Sequence, residues 1–264
     1  MDARDVWAVG DLYEPFVGRW SRRVAREFLR WLAPAPDRDW LDVGCGTGAL
    51  TQAILETAAP RSVRGVDPSP GFIGHARAHT ADGRASFEVG DAQALPVGDQ
   101  SVDAAVSGLV LNFVPDPALA MQEMARVVRP EGRVAAYVWD YADKMELLRR
   151  FWDAAAALDP SALELDEGRR FPICGPQAFS DLFVGAGLTR VEVRPIDVPT
   201  SFRDFDDFWT PFLGGQGPAP AYAMSLAEDR RSRLRERIRA DLPISADGSI
   251  HLVARAWAVQ GRRN

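Results

Sequence analysis

Residues 41–51, Leu41-Asp42-Val43-Gly44-Cys45-Gly46-Thr47-Gly48-Ala49-Leu50-Thr51, read as a buried strand, a glycine turn and the start of a helix. In α/β proteins that arrangement holds nucleotides. Three glycines in five residues let the backbone turn sharply and approach a ligand with no Cβ in the way. A helix opening at Thr47 or Gly48 turns its free N–H groups toward that ligand. The third glycine comes one residue too early for the dinucleotide fingerprint G-x-G-x-x-G, and Asp42 stands just before the turn. A carboxylate there repels a pyrophosphate and attracts a ligand with an ammonium and a sulfonium. S-adenosylmethionine (AdoMet) is such a ligand.

Outward from this loop the pattern alternates strand and helix. Strand one covers 38–43, and the helix from about Gly48 to Ala59 stops at Pro60. Strand two, 62–66, ends in Asp67, after which Pro68-Ser69-Pro70 opens a helix reaching about Thr80. Strand three, 85–89, ends at Gly90-Asp91-Ala92, and strand four runs from Val102 to Ser107. A helix from about Pro117 to Val128 and a turn at Arg129-Pro130-Glu131-Gly132 lead into strand five, 133–139. This order predicts an α/β fold, Rossmann-like, with a doubly wound parallel sheet.

Later segments are looser. Helices are expected at 143–158 and 176–186, and strands at about 188–198 and 249–259. The stretches 141–187 and 199–248 are longer than plain connections require and read as lid insertions for a substrate. If strand six is parallel to the others, both insertions begin at the carboxyl edge of the sheet, the ligand side. They hold most of the later aromatics, among them Tyr141, Phe151, Trp152, Phe171, Phe208, Trp209, Phe212 and Tyr222. Helical spacing assigns most of these to ordinary core and leaves the rest to line an apolar or aromatic pocket. Gly214-Gly215-Gln216-Gly217-Pro218 reads as a hinge. Ahead of the sheet, residues 12–32 form an amphipathic arm with Tyr13, Phe16, Val17, Trp20, Val24, Phe28 and Leu32 at helical spacing. The expected organisation is one domain over 1–264, with an arm at 1–36 and a ligand-binding core at 37–140.

Composition narrows the function classes. With 264 residues, 47% of them hydrophobic, the chain can bury a sizeable core. Its net charge of −6 lacks the electrostatic footprint of a nucleic-acid binder. The run Glu228 to Arg239 mixes arginine with acids and reads as a solvated helix. Two cysteines, three histidines and no C-x-x-C give no zinc spacing, so no metal is expected. The N-terminus lacks a signal pattern and no segment approaches eighteen uncharged apolar residues, which predicts a cytoplasmic protein without a membrane partner.

Two further acids give the loop its chemistry. Asp67, at the end of strand two, stands where a carboxylate accepts the ribose hydroxyls of an adenosyl ligand; the alternative is a cap for the helix that Pro68 opens. Asp91 and Ala92 repeat the geometry one strand further across. There a carboxylate takes the adenine amino group and a backbone N–H meets a ring nitrogen, with a turn-stabilising Asp as the alternative. As a set, Leu41 to Gly48, Gly65-Val66-Asp67-Pro68-Ser69, Gly90 to Pro96, Ser101-Val102-Asp103 and Arg129 to Arg133 resemble the ordered motifs of class I AdoMet-dependent methyltransferases. The resemblance is strongest to the small-molecule branch that includes the ubiquinone and menaquinone C-methyltransferases.

That resemblance covers about residues 38–140 and implies a seven-stranded sheet with the last strand antiparallel. It assigns Asp42, Gly44, Gly46 and Gly48 to the methionine side of AdoMet, Asp67 with Pro68 and Ser69 to the ribose, and Asp91 with Ala92 to the adenine. Ser107 and Gly108 would border the sulfonium. The arm from Tyr13 to Ser21 also resembles the segment before the first motif in such enzymes, which would pair Arg19 with the methionine carboxylate; an exposed helix-face arginine is the alternative. The resemblance implies a small-molecule acceptor and a monomer or homodimer.

Methyl transfer is in-line displacement, so holding a nucleophile about 3 to 3.5 Å from the methyl carbon supplies most of the catalysis and a dedicated base is optional. Asp140 and Tyr141, just past strand five, are the candidates for contacting the acceptor. His75 and His79 read as solvated helix residues. Ser107-Gly108-Leu109-Val110 replaces the Asn- or Asp-Pro-Pro-aromatic motif of the amino methyltransferases acting on nucleobases, so a nucleobase amino group is not the expected acceptor. The competing reading is a protein that binds AdoMet without transferring its methyl, as a scaffold, a regulator or a catalyst of sulfonium-assisted rearrangement.

Overall fold

A computed structural model describes residues 18–214 and 217–264. Within them a seven-stranded sheet has the order β3-β2-β1-β4-β5-β7-β6, formed by β1 (Asp39–Val43), β2 (Ser62–Asp67), β3 (Ala85–Val89), β4 (Val102–Gly108), β5 (Val128–Trp139), β6 (Thr189–Phe202) and β7 (Ile250–Arg262). Strands β1 to β5 pair in parallel, and β7 runs antiparallel between β5 and β6. Strand β6 is therefore parallel to the first five, and the expected topology holds. The centre of the sheet is covered on both faces, which explains why four successive residues of β1, Trp40, Leu41, Asp42 and Val43, are all buried.

Helix α1 (Arg19–Leu32) buries Trp20, Val24, Phe28 and Leu32, the stripe its spacing predicts. Trp20 meets Phe202 edge-on at 5.6 Å, and Phe28 lies 4.7 Å from Tyr137, so this helix closes one flank of β5, β6 and β7. Tyr13, Phe16 and Val17 lie outside the described residues. Helices α2 (Ala49–Thr57), α3 (Pro70–His79) and α4 (Pro117–Val127) make the crossovers of the parallel strands. Their starts follow cap chemistry: Ser69 accepts the Phe72 N–H at 3.3 Å and Asp116 the Leu119 N–H at 3.0 Å, each with proline in the first turn.

Two strands differ from expectation. The turn expected at 129–132 lies inside β5, as an irregularity between the pairs Val102↔Val128 and Ala104↔Arg133. Glu131 adopts φ 61° there and donates its N–H to the Arg263 carbonyl at 2.9 Å, so the far end of β7 absorbs the bulge. Strand β6 extends to Phe202, through Pro195 and Pro199. As an edge strand it pairs only with β7, and its prolines interrupt no second ladder.

The remaining helices, α5 (Glu146–Leu158), α6 (Glu167–Arg170), α7 (Pro176–Gly185), α8 (Phe205–Trp209), α9 (Pro218–Ser225) and α10 (Glu228–Asp241), fall in the segments around β6. Phe151 stacks on Phe212 at 4.7 Å, and Trp152 lies 5.7 Å from Tyr222. Most aromatics of the insertions are thus buried against one another and join the segments after β5 and β6 into one apolar core.

Candidate active site

The glycine loop after β1 takes the conformation its composition predicts: Gly44, Gly46 and Gly48 have φ of 73°, 53° and 92°, in the left-handed region. The N–H groups of Gly44 and Cys45 donate to the Val66 carbonyl at 2.7 and 3.1 Å, which ties the loop to β2. A Cβ on Gly44 would stand 2.4 Å from the Val110 side chain, and one on Gly108 would stand 2.5 Å from the Tyr137 hydroxyl. Both glycines let the ends of β1, β4 and β5 close on one space.

That space is a cleft with an empty volume of about 1010 Å³ including its mouth, at the carboxyl edge of the parallel strands. Its lining contains three carboxylates, Asp42, Asp67 and Glu167, and no arginine, lysine or histidine among the described residues. Asp42 is fully buried; it accepts the Thr51 hydroxyl at 2.7 Å through Oδ2, while Oδ1 has no hydrogen-bond partner among the described residues. Burial pushes its pKa up to about 7, against the pull of the Thr51 bonds, and the charge of Asp67 adds to the rise. Burial also raises Asp67, opposed by N–H bonds from Ser69 at 2.9 Å and Gly46 at 3.0 Å. The Cys45 thiol is pushed far up by burial and then by Asp42 and Asp67, so this cleft cysteine is not a thiolate nucleophile.

Of the residues singled out from sequence, Asp42, Gly44, Gly46, Asp67, Gly108 and Tyr141 meet at this cleft. The others stand back from its lining. Gly48 caps α2. Ser69 caps α3, with Pro68 beside it, and holds Asp67 through its N–H. Asp91 is exposed and its Oδ1 accepts the Gln93 N–H at 2.8 Å, the turn role weighed above, while Ala92 is buried in the core. Ser107 is fully buried and donates its hydroxyl to the Val43 carbonyl at 2.8 Å, so it binds β4 to β1. Asp140 is buried, raised by that burial, and its Oδ1 accepts the Asp143 N–H at 3.3 Å in a turn.

Arg19 differs most from expectation. Its Nη1 lies 3.3 Å from Asp207 Oδ1, its guanidinium covers the rings of Trp20 and Phe202, and it lines a separate surface concavity with Asp204 and Asp207. A carboxylate brought near by the segment after β6 competes for it, and no local pattern announces that.

The far end of the cleft holds residues that motif reading missed. Tyr137 and Trp139 alternate along β5 with Tyr141 beyond it, a period of two that aims all three at one face. That signal was present in the sequence. Phe113, in the turn after β4, meets Phe171 edge-on at 5.3 Å, and Tyr141 lies 6.1 Å from the same ring. Glu167, 3% exposed, enters from α6 and accepts the Trp152 indole N–H. Nothing in its local sequence separates it from neighbouring Glu164 and Asp166.

His75 and His79 stack on the exposed side of α3, 4.0 Å between centroids, away from this lining. No group of three metal-capable side chains occurs among the described residues, and none of their helices is long and apolar enough to cross a membrane.

Comparison with known proteins agrees with this geometry. Residues 41–136 match the model of the methyltransferase domain. Over 118 residues the chain is 40% identical to an uncharacterized methyltransferase of Mycobacterium tuberculosis, covering 45% of this chain and 46% of that protein. Over 185 residues it is 30% identical to the 2-methyl-6-phytyl-1,4-hydroquinone methyltransferase of a Synechocystis strain, covering 69% of this chain and 57% of that one. The chain thus spans about half the length of the curated relatives it matches. Among solved structures, the Haemonchus contortus phosphoethanolamine N-methyltransferase 2 in complex with S-adenosyl-L-methionine superimposes with a TM-score of 0.55 at 18% identity, covering 90% of this chain and 52% of that one. Sheet order, glycine loop and matched domain agree, and residues 41–136 of this chain belong to the methyltransferase domain family, of the class I, AdoMet-dependent type.

Proposed function

We propose that the protein transfers the methyl group of AdoMet to oxygen, nitrogen or carbon of a small, apolar or aromatic molecule. The observation that carries this reading is a cleft with three carboxylates, no cationic side chain among its described lining residues, and aromatic walls at one end. A cationic ligand with an adenosyl group suits the first part, and the buried Oδ1 of Asp42, without a partner among the described residues, can accept a donor from it. Asp42 and the glycine backbone would hold the methionine end. Asp67 would take the ribose, since each of its oxygens keeps a second lone pair beyond the N–H bonds it already accepts. The family likeness would give the adenine to Asp91 and Ala92, which stand outside the cleft lining, Asp91 exposed in its turn and Ala92 in the core. Bound there, AdoMet supplies an activated methyl group; the chain's own residues bind, orient and exclude water. Tyr141, with Tyr137, Trp139 and Phe113, would shape the acceptor pocket.

Calorimetry with AdoMet and S-adenosylhomocysteine tests the cofactor, with micromolar binding expected for both. Absence of binding to either sinks the reading. Incubation with AdoMet and a fraction of small apolar metabolites, followed by mass spectrometry, tests the transfer. A product heavier by one methyl is expected, whereas an acceptor altered without mass gain would favour the rearrangement alternative.

A further inference from the structure

Glu167 is a buried acid that the cofactor-binding motifs do not use. Gly168 sets its position: a Cβ there would stand 2.8 Å from the Tyr141 carbonyl oxygen and 2.9 Å from Ala142 Cα, so α6 starts directly on the backbone leaving β5. On the other side, both oxygens of Asp166 meet the Arg149 guanidinium at 2.7 and 2.9 Å, and one accepts the Gly168 N–H at 2.8 Å. This double anchoring holds Glu167 against the cleft, where it shares the lining with Phe113, Tyr137, Trp139, Tyr141 and Leu148. A carboxylate buried among aromatic and aliphatic side chains is costly unless its oxygens find donors. The Trp152 indole N–H serves Oε2 and the backbone N–H of Glu167 itself also bonds the carboxylate, whose place in the lining keeps it within reach of a ligand in the cleft.

We propose that Glu167 hydrogen-bonds the hydroxyl group of an aromatic acceptor and takes its proton during transfer. This rests on the methyl-transfer reading and narrows its acceptor to a phenol-like molecule methylated on oxygen. A hydroxyl fits better than an ammonium, because a second cation beside a sulfonium is repelled, whereas a hydroxyl that loses its proton leaves an attracted anion. The oxygen–methyl bond forms as the carbon–sulfur bond breaks, the sulfur keeps that electron pair as a neutral thioether, and the hydroxyl proton goes to the carboxylate. Burial lifts Glu167 to about 7, closer to a phenol near 10 and to working pH than an ordinary glutamate. Its own backbone N–H and the Trp152 N–H lower it; of the charged groups facing it, Asp166 raises it and Arg149 lowers it. Cys174 lies within electrostatic reach of both Glu167 and Asp140, its thiol raised chiefly by burial.

The test uses the protein saturated with S-adenosylhomocysteine and two probes, 4-methylphenol and its hydroxyl-free isostere 1,4-dimethylbenzene, titrated calorimetrically. Wild type at pH 8 should bind 4-methylphenol at least about tenfold more tightly, as expected of a hydrogen bond to a charged group. The preference should shrink as pH falls through about 7, where Glu167 takes a proton. Glu167→Gln keeps the size and an oxygen for Trp152; it should retain S-adenosylhomocysteine binding and lose both the preference and its pH dependence. Equal binding of the probes, binding of neither, a preference that survives Glu167→Gln, or tighter binding of 4-methylbenzylammonium than of 4-methylphenol overturns the proposal. Failure of the wild type to bind S-adenosylhomocysteine brings down the methyl-transfer reading itself, and this inference with it.

Discussion

The two ends of the cleft are built in opposite ways. The end proposed for the cofactor is mostly backbone: a glycine turn, strand ends and the N-terminus of α2, with Asp42 and Asp67 anchored by neighbours within the same βαβ unit. The end proposed for the acceptor is mostly side chain, drawn from β5, the turn after β4, and α5 and α6. Backbone geometry is set by short local motifs, and at Gly44 it leaves no room for a side chain. Side-chain walls can change one residue at a time and so carry specificity. One fold can thus keep one cofactor while its acceptor varies.

Substitutions can break this contrast, and the largest effect is expected at the cofactor end. Gly44→Ala forces a Cβ into Val110 at a left-handed backbone position and should weaken AdoMet binding about a hundredfold with a loss of stability on the order of 2 kcal/mol, by calorimetry and urea unfolding. Next comes Asp67→Ala, which should cost more than tenfold in AdoMet affinity; unchanged affinity would return Asp67 to its role of holding the loop and the start of α3. At the acceptor end, Phe171→Ala removes the ring that meets Phe113 and Tyr141. It should raise acceptor KM about fivefold while AdoMet affinity stays within twofold. An equal loss of both would erase the distinction between the ends. Arg19→Ala should change AdoMet affinity by less than twofold, since its guanidinium pairs with Asp207.

A pH experiment sharpens the electrostatic side. Asp42 is raised in the fold to about 7 from an ordinary 3.8, so the folded protein holds a proton that the unfolded chain releases between these values. The ligand-free protein should therefore lose stability as pH rises from about 4 to 7, with an upper bound of about 4 kcal/mol from this group. Glu167 acts in the same direction. Asp42→Asn should flatten that slope and stabilise the ligand-free protein at pH 8 while weakening AdoMet binding. A slope unchanged in Asp42→Asn would show that Asp42 titrates normally.

Legibility in the sequence follows the same division. Asp42, Gly44, Gly46 and Asp67 were readable because the strand, turn and acid that make each position lie within a few residues of one another. Asp91 and Ser107 belong to recognisable motifs, yet the fold uses the first in a turn and the second to tie β4 to β1, a choice made by contacts no motif encodes. The pairing of Arg19 was not legible for the same reason: its carboxylate partner is Asp207, far along the chain.

By itself the sequence determined the alternation of strands and helices, the glycine turn and the acids at the ends of β1 and β2, because hydrophobic period, cap chemistry and left-handed glycines are local. Only the tertiary structure decided which aromatics became core and which line the cleft, and that Glu167 enters it. Those outcomes depend on α5 and α6 packing against the end of β5, through Gly168 on the Tyr141 backbone and Arg149 on Asp166. Such long-range contacts leave no periodicity in the chain.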